Sequence, residues 1–518
     1  MNSSRGWEPE VAELERRAEL ARAMGGDEKV ARHHAAGRLT VRERIDVLVD
    51  PGSFREVGGL AGRAHYEDGQ LASFTPSNFV MGRARIDGRP VVIAGDDFTV
   101  RGGAADGGVR GKQTYAERMA HDLAIPIVRL IDGSGGGGSV KSLETMGRTY
   151  VPIDPSWPIV VDNLAAVPVV ALVLGSVAGQ GAARAVTSHY SVMVKGTSQL
   201  FVAGPPVVAR TGERVDAETL GGSAIHTRNG VIDDEAESEA DAMARARRFL
   251  SYLPSSVFEA PSRAPTDDDP ERCDDWLIEA IPRDRRTVYK SRPIIETLVD
   301  RDSFFELGAR FGRAAVTGLA RLDGWPVAVL AGDPYHYGGG WTADASQKVM
   351  RFVDLADTFH LPVVHLVDQP GFVVGTKAEQ QATIRHGARA IAAIVQATVP
   401  WCSVLLRRVF GVAGAAHHPA SRYGIRFAWP SGDWGSLPLE GGIEAAYKSE
   451  LEASDDPDAR RAEIAARLDA VRSPLRTAEA FLVEDVIDPR ETRPRLCEFA
   501  ALATARLQPG AKTRGTRP

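Results

Sequence analysis

"IPIVRLID" at residues 125–132 and "LPVVHLVD" at residues 361–368 are one strand written twice, 236 positions apart. Each is a short apolar run rich in valine and isoleucine that ends on an aspartate, the pattern of a buried strand. A second pair keeps the same offset: "ARIDGRPV" at 84–91 and "ARLDGWPV" at 320–327. Two matches at one offset argue for internal duplication. Between them in the second half, Val349, Phe352, Val353 and Ala356 follow the i, i+3, i+4, i+7 spacing of an amphipathic helix, and Tyr115, Met119 and Leu123 form a weaker stripe in the first. Each half therefore reads as strand, glycine loop, helix, strand.

The match extends in both directions. "IDVLVDPGSFREV" at 45–57 parallels "IETLVDRDSFFEL" at 295–307, and "VPVVALVLGSVAGQGA" at 167–182 parallels "VPWCSVLLRRVFGVAGAA" at 399–416. A whole domain is duplicated, not a short solenoid unit. The boundary is expected in "PSRAPTDDDPERCDD", residues 261–275, where proline and acid are dense and apolar spacing disappears. The expected organisation is a helical segment over 1–35, a domain over 36–260, a linker over 261–275, a second domain over 276–510 and a disordered tail over 511–518. Met243, Ala246, Leu250 and Leu253 form a helical stripe with Asp233 and Asp234 available as caps. Val11, Leu14, Ala18 and Ala21 form another, and bundling is the expected role of both helices.

Composition narrows the function classes. The chain has 518 residues, 43% hydrophobic and 25% charged, with a formal net charge of −6, an ordinary globular balance that favours neither nucleic acid nor an anionic membrane as partner. Three isolated cysteines, at 273, 402 and 497, make no C-x-x-C pair and suit a reducing cytoplasm, with no thiolate metal site. The start "MNSSRGWEPE" lacks a secretory pattern. The least charged run, 164–183, is broken by Pro168, Gly175, Gly179, Gln180 and Gly181, which fits a strand and turn better than a membrane helix. A soluble cytoplasmic protein is expected.

Each half ends an apolar strand in a glycine loop twice: "DGSGGGG" at 132–138 and "GSVAGQG" at 175–181, then "DQPGFVVGT" at 368–376 and "FGVAGA" at 410–415. The four glycines of the first do not make a Walker loop, because Val140 and not glycine precedes Lys141. No H-E-x-x-H, G-x-S-x-G elbow or cysteine cluster is present. The chemistry is therefore expected to use backbone amides. Glycines at a strand-to-helix turn let a ligand reach main-chain N–H groups, and each such donor stabilises a developing oxyanion by roughly 3 to 4 kcal/mol in the best-measured case.

The chain resembles the carboxyltransferase β subunits of biotin-dependent acyl-CoA carboxylases, the propionyl-, acetyl- and methylcrotonyl-CoA type. The resemblance runs from "HHAAGRLTVRERIDVLVDPGSF" at 33–54 to the C-terminal helices, and its most specific pieces are "DDFTVRGG" at 96–103, "ETLGGSAIHTRNGV" at 218–231, "DASQKVMRFVDLADTFHLPVV" at 344–364 and "DQPGFVVGTKAEQQATIRHGA" at 368–388. It implies an α/β fold of two crotonase-like ββα-superhelix domains related by internal duplication, assembled as a homohexamer with sites shared between subunits. It also implies transfer of a carboxyl group from carboxybiotin, carried covalently on a partner biotin carboxylase or carrier subunit, to the α-carbon of an acyl-CoA. One amide pair holds the thioester oxygen as an enolate, and the other holds the biotin ureido oxygen.

Carried over by position, the first pair resembles Gly179 and Gln180, with Gly181 as substitute if the loop shifts by one; Gln180 stands where the family usually has glycine. The second pair resembles Val412 and Ala413, flanked by Gly411 and Gly414 on the biotin side, and a valine replaces the common glycine. Ala415 falls on a substrate-selector position. Gly135, Gly136 and Gly137 are expected to shape the acyl-CoA pocket, with a structural turn as the alternative, and Gly371 and Phe372 to line it. His417 and His418 are read either as substrate contacts or as packing, Arg385 and His386 as fixing a helix start, and Lys112, Arg118 and Arg184 as phosphate partners or simply basic residues near the loops. The segment "GDWGSLPLEGGIEAAY" at 432–447, with Trp434, departs from the family pattern. Two rival readings are a biotin-dependent decarboxylase subunit and a non-catalytic assembly homologue. A crotonase-type hydratase is disfavoured, since no paired glutamates flank the loops.

Overall fold

The computed structural model describes residues 6–104, 107–133, 139–151, 153–420, 422, 424–512, 516 and 518. The chain divides into two compact units, one of Met1–Ser251 with Ser255–Phe258 and Thr513–Pro518, the other of Tyr252–Pro254 with Glu259–Lys512.

The seven-stranded sheet of the first unit runs β1 (Arg55–Glu56), β4 (Phe79–Ile86), β5 (Arg89–Asp96), β6 (Ile127–Ile131), β7 (Val169–Val173), β9 (Tyr190–Val194) and β11 (Asp234–Ala236). A hairpin of β2 (Gly62–Glu67) and β3 (Gln70–Pro76) stands apart from it, as does a parallel pair of β8 (Ser176–Ala178) and β10 (Gln199–Phe201). The second unit repeats the order with β12 (Phe305–Leu307), β13 (Ala315–Leu322), β14 (Trp325–Gly332), β15 (Val363–Gln369), β16 (Trp401–Phe410), β17 (Ile425–Ala428) and β19 (Asp485–Val486), while β18 (Asp433–Gly435) pairs with β16. In both sheets the first strands are antiparallel and all pairings from β5 or β14 onward are parallel. The parallel strands β6 and β7 are buried at every residue, which is why they read as unbroken apolar runs rather than alternations. Each fully buried valine, isoleucine or leucine contributes about 1.5–3 kcal/mol.

The duplication reaches individual side chains. The Asp-Gly turns that join β4 to β5 and β13 to β14 both have positive φ, at Asp87 (50°) and Gly88 (78°) and at Asp323 (48°) and Gly324 (76°), the two-residue turn that suits a twisted hairpin. Asp50 accepts the amides of Asp87 and Gly88 at 3.0 and 2.8 Å, and Asp300 accepts those of Asp323 and Gly324 at 3.0 and 2.7 Å. Arg42 pairs with Glu56 at 2.8 Å and Arg292 with Glu306 at 2.6 Å.

The helices depart from the sequence reading in several places. Helix Ala343–Thr358 buries Val349, Phe352, Val353 and Ala356 as the spacing requires. Its counterpart Lys112–Leu123 instead turns Ala116 and Ala120 inward and leaves Tyr115 and Leu123 exposed, because the small alanines let it lie close to the sheet. In Glu239–Ser251, Met243, Ala246 and Leu250 are buried and Leu253 lies beyond the end. Asp233 and Asp234 do not cap it: Asp233 accepts the Ser191 amide at 2.8 Å and Asp234 the Tyr190 hydroxyl at 2.8 Å, while the Ser238 hydroxyl accepts the Asp241 amide at 3.1 Å. Helix Glu8–Arg22 buries Ala21, but Val11 and Leu14 are each 49% exposed, so its stripe does not form a bundle within the unit. The acidic segment 261–275 belongs to the second unit and is pinned there: buried Asp268 accepts the Arg301 amide at 2.9 Å and pairs with Arg272 and Arg493. Of the tail, residues 513–515 and 517 lie outside the described residues.

Candidate active site

The glycine loops leave the sheets at the C-terminal ends of the parallel strands β6, β7, β15 and β16, the end at which parallel α/β sheets bind ligands. Gly135, Gly136 and Gly137 lie outside the described residues, so the geometry rests on the other three loops.

In the first unit β8 ends at Ala178, and Gly179 turns the chain into helix Gln180–Val186 with φ 63° and ψ −124°, a conformation open to glycine. The Gly179 N–H donates to the Phe201 carbonyl at 3.3 Å, closing the β8–β10 ladder. That amide is therefore committed, which corrects its assignment as a donor. The first-turn amides of Gln180 and Gly181 have no acceptor inside the helix and form the adjacent pair that can meet an oxyanion. The Gln180 carboxamide is drawn aside by a hydrogen bond to Asp154, whose other carboxylate oxygen accepts the Ser156 amide and hydroxyl at 2.8 and 2.6 Å.

The second unit repeats the device. β16 ends at Phe410, Gly411 takes φ 61°, and helix Gly411–Ala415 follows. The amides of Val412 and Ala413 lie in its first turn, likewise without an acceptor inside the helix. Val412 is 62% exposed, Ala413 is buried, and Ala415 ends the helix on an exposed position. Gly414 packs so tightly that an added Cβ would stand 2.8 Å from the Val409 carbonyl carbon. Gly371, at φ 120°, donates its amide to Gln369 at 2.9 Å. Phe372 packs against Gly387, where a Cβ would meet its ring at 2.3 Å, and its ring centroid is 6.3 Å from that of Trp341.

Two aspartates that the repeated strand displays at its end support these loops. Asp132 is buried, paired with Arg44 at 2.8 Å, and approaches Gly175 so closely that a Cβ there would lie 1.9 Å from its carboxylate. Asp368 accepts from Tyr289 at 3.0 Å, Arg407 at 3.0 Å and Arg408 at 2.7 Å. Burial alone would raise the Asp368 carboxyl, but the Arg408 and Arg407 guanidinium groups outweigh it and hold it below the usual range. Sequence reading noticed both aspartates as strand ends and missed their role, although their recurrence was the signal.

Other candidate side chains are committed to the fold. Arg184 is buried on Glu117 at 3.2 Å and Lys112 is buried near Glu56, so neither is presented to a phosphate; Arg118 is exposed. Helix Thr383–Gln396 starts from Ala382 at φ 54° with no side-chain cap, so Arg385 and His386 do not fix its start. His417 donates Nδ1–H to the Gly414 carbonyl at 2.9 Å, and burial pushes its imidazole down to about 3. It packs as a neutral ring. Trp434 donates to Thr477 at 3.1 Å and ties β18 to the segment beyond it.

Residues 32–516 match the carboxyl transferase domain model. The chain belongs to the carboxyl transferase family. It is 33% identical over 527 residues to the carboxyltransferase subunit of propionyl-CoA carboxylase from Haloferax mediterranei, with 99% of each chain covered. It is also 32% identical to the methylmalonyl-CoA decarboxylase subunit alpha of Veillonella parvula, over 96% of this chain and 97% of that one. The transcarboxylase 12S structure, described as a hexamer with methylmalonyl-coenzyme A bound, superimposes with a TM-score of 0.88 at 31% identity over 99% of both chains. The chain is thus a carboxyltransferase enzyme with two duplicated crotonase-like domains.

Proposed function

We propose that this carboxyltransferase moves a carboxyl group onto the α-carbon of an acyl-CoA, with the amides of Gln180 and Gly181 holding the thioester oxygen as it becomes an enolate. The amides of Val412 and Ala413 hold the ureido oxygen of biotin carried by a partner subunit. The observation that carries this reading is the recurrence, in both units, of a glycine at positive φ after a strand and of first-turn amides with no acceptor inside the helix behind it. An enolate and a ureido carbonyl both need donors only, and both turns offer main-chain N–H groups, so the residues present fit. Biotin, delivered on its carrier, supplies the carboxyl group. The chain contributes electrostatic stabilisation by fixed dipoles, roughly 3 to 4 kcal/mol per donor at most. His417 is a weak base, since burial pushes its imidazole down to about 3.

The substrate class is read from Ala415, whose methyl group leaves room at the selector position. A propionyl-sized or larger acyl group is the expected substrate, as the relatives named for propionyl-CoA and methylmalonyl-CoA suggest. Carboxylation of acetyl-, propionyl- and methylcrotonyl-CoA, with a biotin carboxylase and carrier added, tests this; absence of transfer to every thioester overturns it. In the same assay Ala415→Ile should lower kcat/KM for the larger acyl group about 10-fold or more relative to acetyl. An unchanged ratio would remove Ala415 from the pocket. The decarboxylase relative favours a second reading in which the same site runs in reverse, biotin accepting the carboxyl group that leaves methylmalonyl-CoA, distinguished by whether that group is then released as CO2 rather than supplied from bicarbonate. We assign the enzyme to the cytoplasm as a homohexamer; no helix among the described residues is long and apolar enough to cross a membrane.

A further inference from the structure

Arg129 and His365 hold the same place in the repeated strand, the fifth residue of "IPIVRLID" and of "LPVVHLVD". Both are buried, one in β6 and the other in β15. Their chemistries differ, yet both reach main-chain carbonyls where the chain leaves the short helix that presents the amides, Arg129 in the last turn and cap and His365 two residues past the end. Arg129 Nη1 donates to the Arg184 carbonyl at 3.0 Å and the Thr187 carbonyl at 2.6 Å. His365 Nδ1 meets the His417 carbonyl at 2.9 Å, and because a carbonyl only accepts, that nitrogen carries the proton. The His417 carbonyl also accepts from Trp401 Nε1 at 2.9 Å and Ser403 Oγ at 2.8 Å.

A helix needs such an anchor when it is this short. Segments of seven and five residues, Gln180–Val186 and Gly411–Ala415, are far below the length at which a helix holds itself in water, and the carbonyls of their last turn rely on donors from outside the helix. Fixing those carbonyls fixes the amides at the other end, one or two turns away. We propose that Arg129 and His365 are the positioning residues of the two amide pairs, each clamping the far end of its helix so that Gln180 and Gly181, and Val412 and Ala413, keep their aim. The charge on Arg129 is met by a bidentate pairing with Glu117, at 2.9 Å for both bonds. His365 needs no counter-ion, since burial pushes its imidazole down to about 4 and keeps it neutral.

The activity arm of the test rests on the carboxyl-transfer reading; the exchange arm does not. In the full-length protein, His365→Leu removes the donor, and His365→Asn returns an N–H near the position of Nδ1. Amide hydrogen exchange in peptides covering 411–417 should accelerate about tenfold in His365→Leu, stay unchanged in peptides covering 180–187, and return towards wild type in His365→Asn. Carboxyl transfer from methylmalonyl-CoA to free biotin should lose about tenfold in kcat in His365→Leu, with KM for methylmalonyl-CoA held, and recover in His365→Asn. If His365→Leu fails to fold, His365→Gln, which displaces the donor by one methylene, takes its place with the same expectations. Wild-type exchange in the donor-less variant, or equal impairment of His365→Leu and His365→Asn, overturns the clamp. A wild-type enzyme inactive on every acyl-CoA would overturn the transfer reading, and exchange would still decide the clamp.

Discussion

Gly179 combines φ 63° with ψ −124°, and an added Cβ would find no atom within 4 Å. A methyl there would meet backbone strain and no clash, so Gly179→Ala is expected to cost about 1–3 kcal/mol of stability. Relaxing that strain re-aims the Gln180 and Gly181 amides, and carboxyl transfer should fall further than a thermal melt alone accounts for. His365 and His417 make the protein sensitive to mild acid. Their folded values are pushed to about 4 and about 3 by burial, below the roughly 6.5 of an unfolded chain, so the unfolded state binds more protons as pH falls. Their contribution is complete above about pH 6.5 and is lost as pH falls from there through about 4 for His365 and about 3 for His417, on the order of 2–3 kcal/mol for His365. Urea titrations from pH 7.5 to 4.5 should show this slope, shallower in His365→Asn.

Helix Lys112–Leu123 is joined to the sheet by a buried carboxylate as well as by apolar packing. Glu117 receives Arg129 at 2.9 Å, Arg184 at 3.2 Å and Asn163 at 3.0 Å, all in the interior. One carboxylate thus joins this helix, strand β6, helix Gln180–Val186 and helix Trp157–Asn163. Glu117→Gln leaves two buried guanidinium groups without their counter-ion and should destabilise by about 3–5 kcal/mol in chemical denaturation. A surface pair such as Arg32 with Glu28 should be worth under about 1 kcal/mol by the same measurement. The sequence spacing favoured Tyr115, Met119 and Leu123 as the inner stripe because they are the larger apolar residues. The network turns Glu117 inward, and Ala116 and Ala120 turn with it.

Two units with the same strand order, each holding an amide-bearing turn, make an enzyme whose halves specialise by what their turns face. If each working site draws one turn from each of two subunits, as proposed with the hexamer, subunits damaged at Gly179 and subunits damaged at Ala413 should restore part of each other's activity in mixed oligomers. Verified hetero-oligomers with no more activity than either parent would refute shared sites. The isolated chain should carry no covalent biotin on a streptavidin blot, since its sequence has no A-M-K-M-type attachment site.

The duplication, the buried strands and three of the glycine loops were legible in the chain itself, because close-packed parallel strands demand unbroken valine, isoleucine and leucine, and turns with positive φ favour glycine. The family, too, followed from such local motifs. Which amides stay free was not legible: Gly179 loses its N–H to Phe201, a residue 22 positions later that only the β8–β10 pairing brings alongside. Nor did any local signal link Arg129 to Thr187 or His365 to His417, since a buried donor takes the nearest carbonyl in space, and chain order says little about which carbonyl that is.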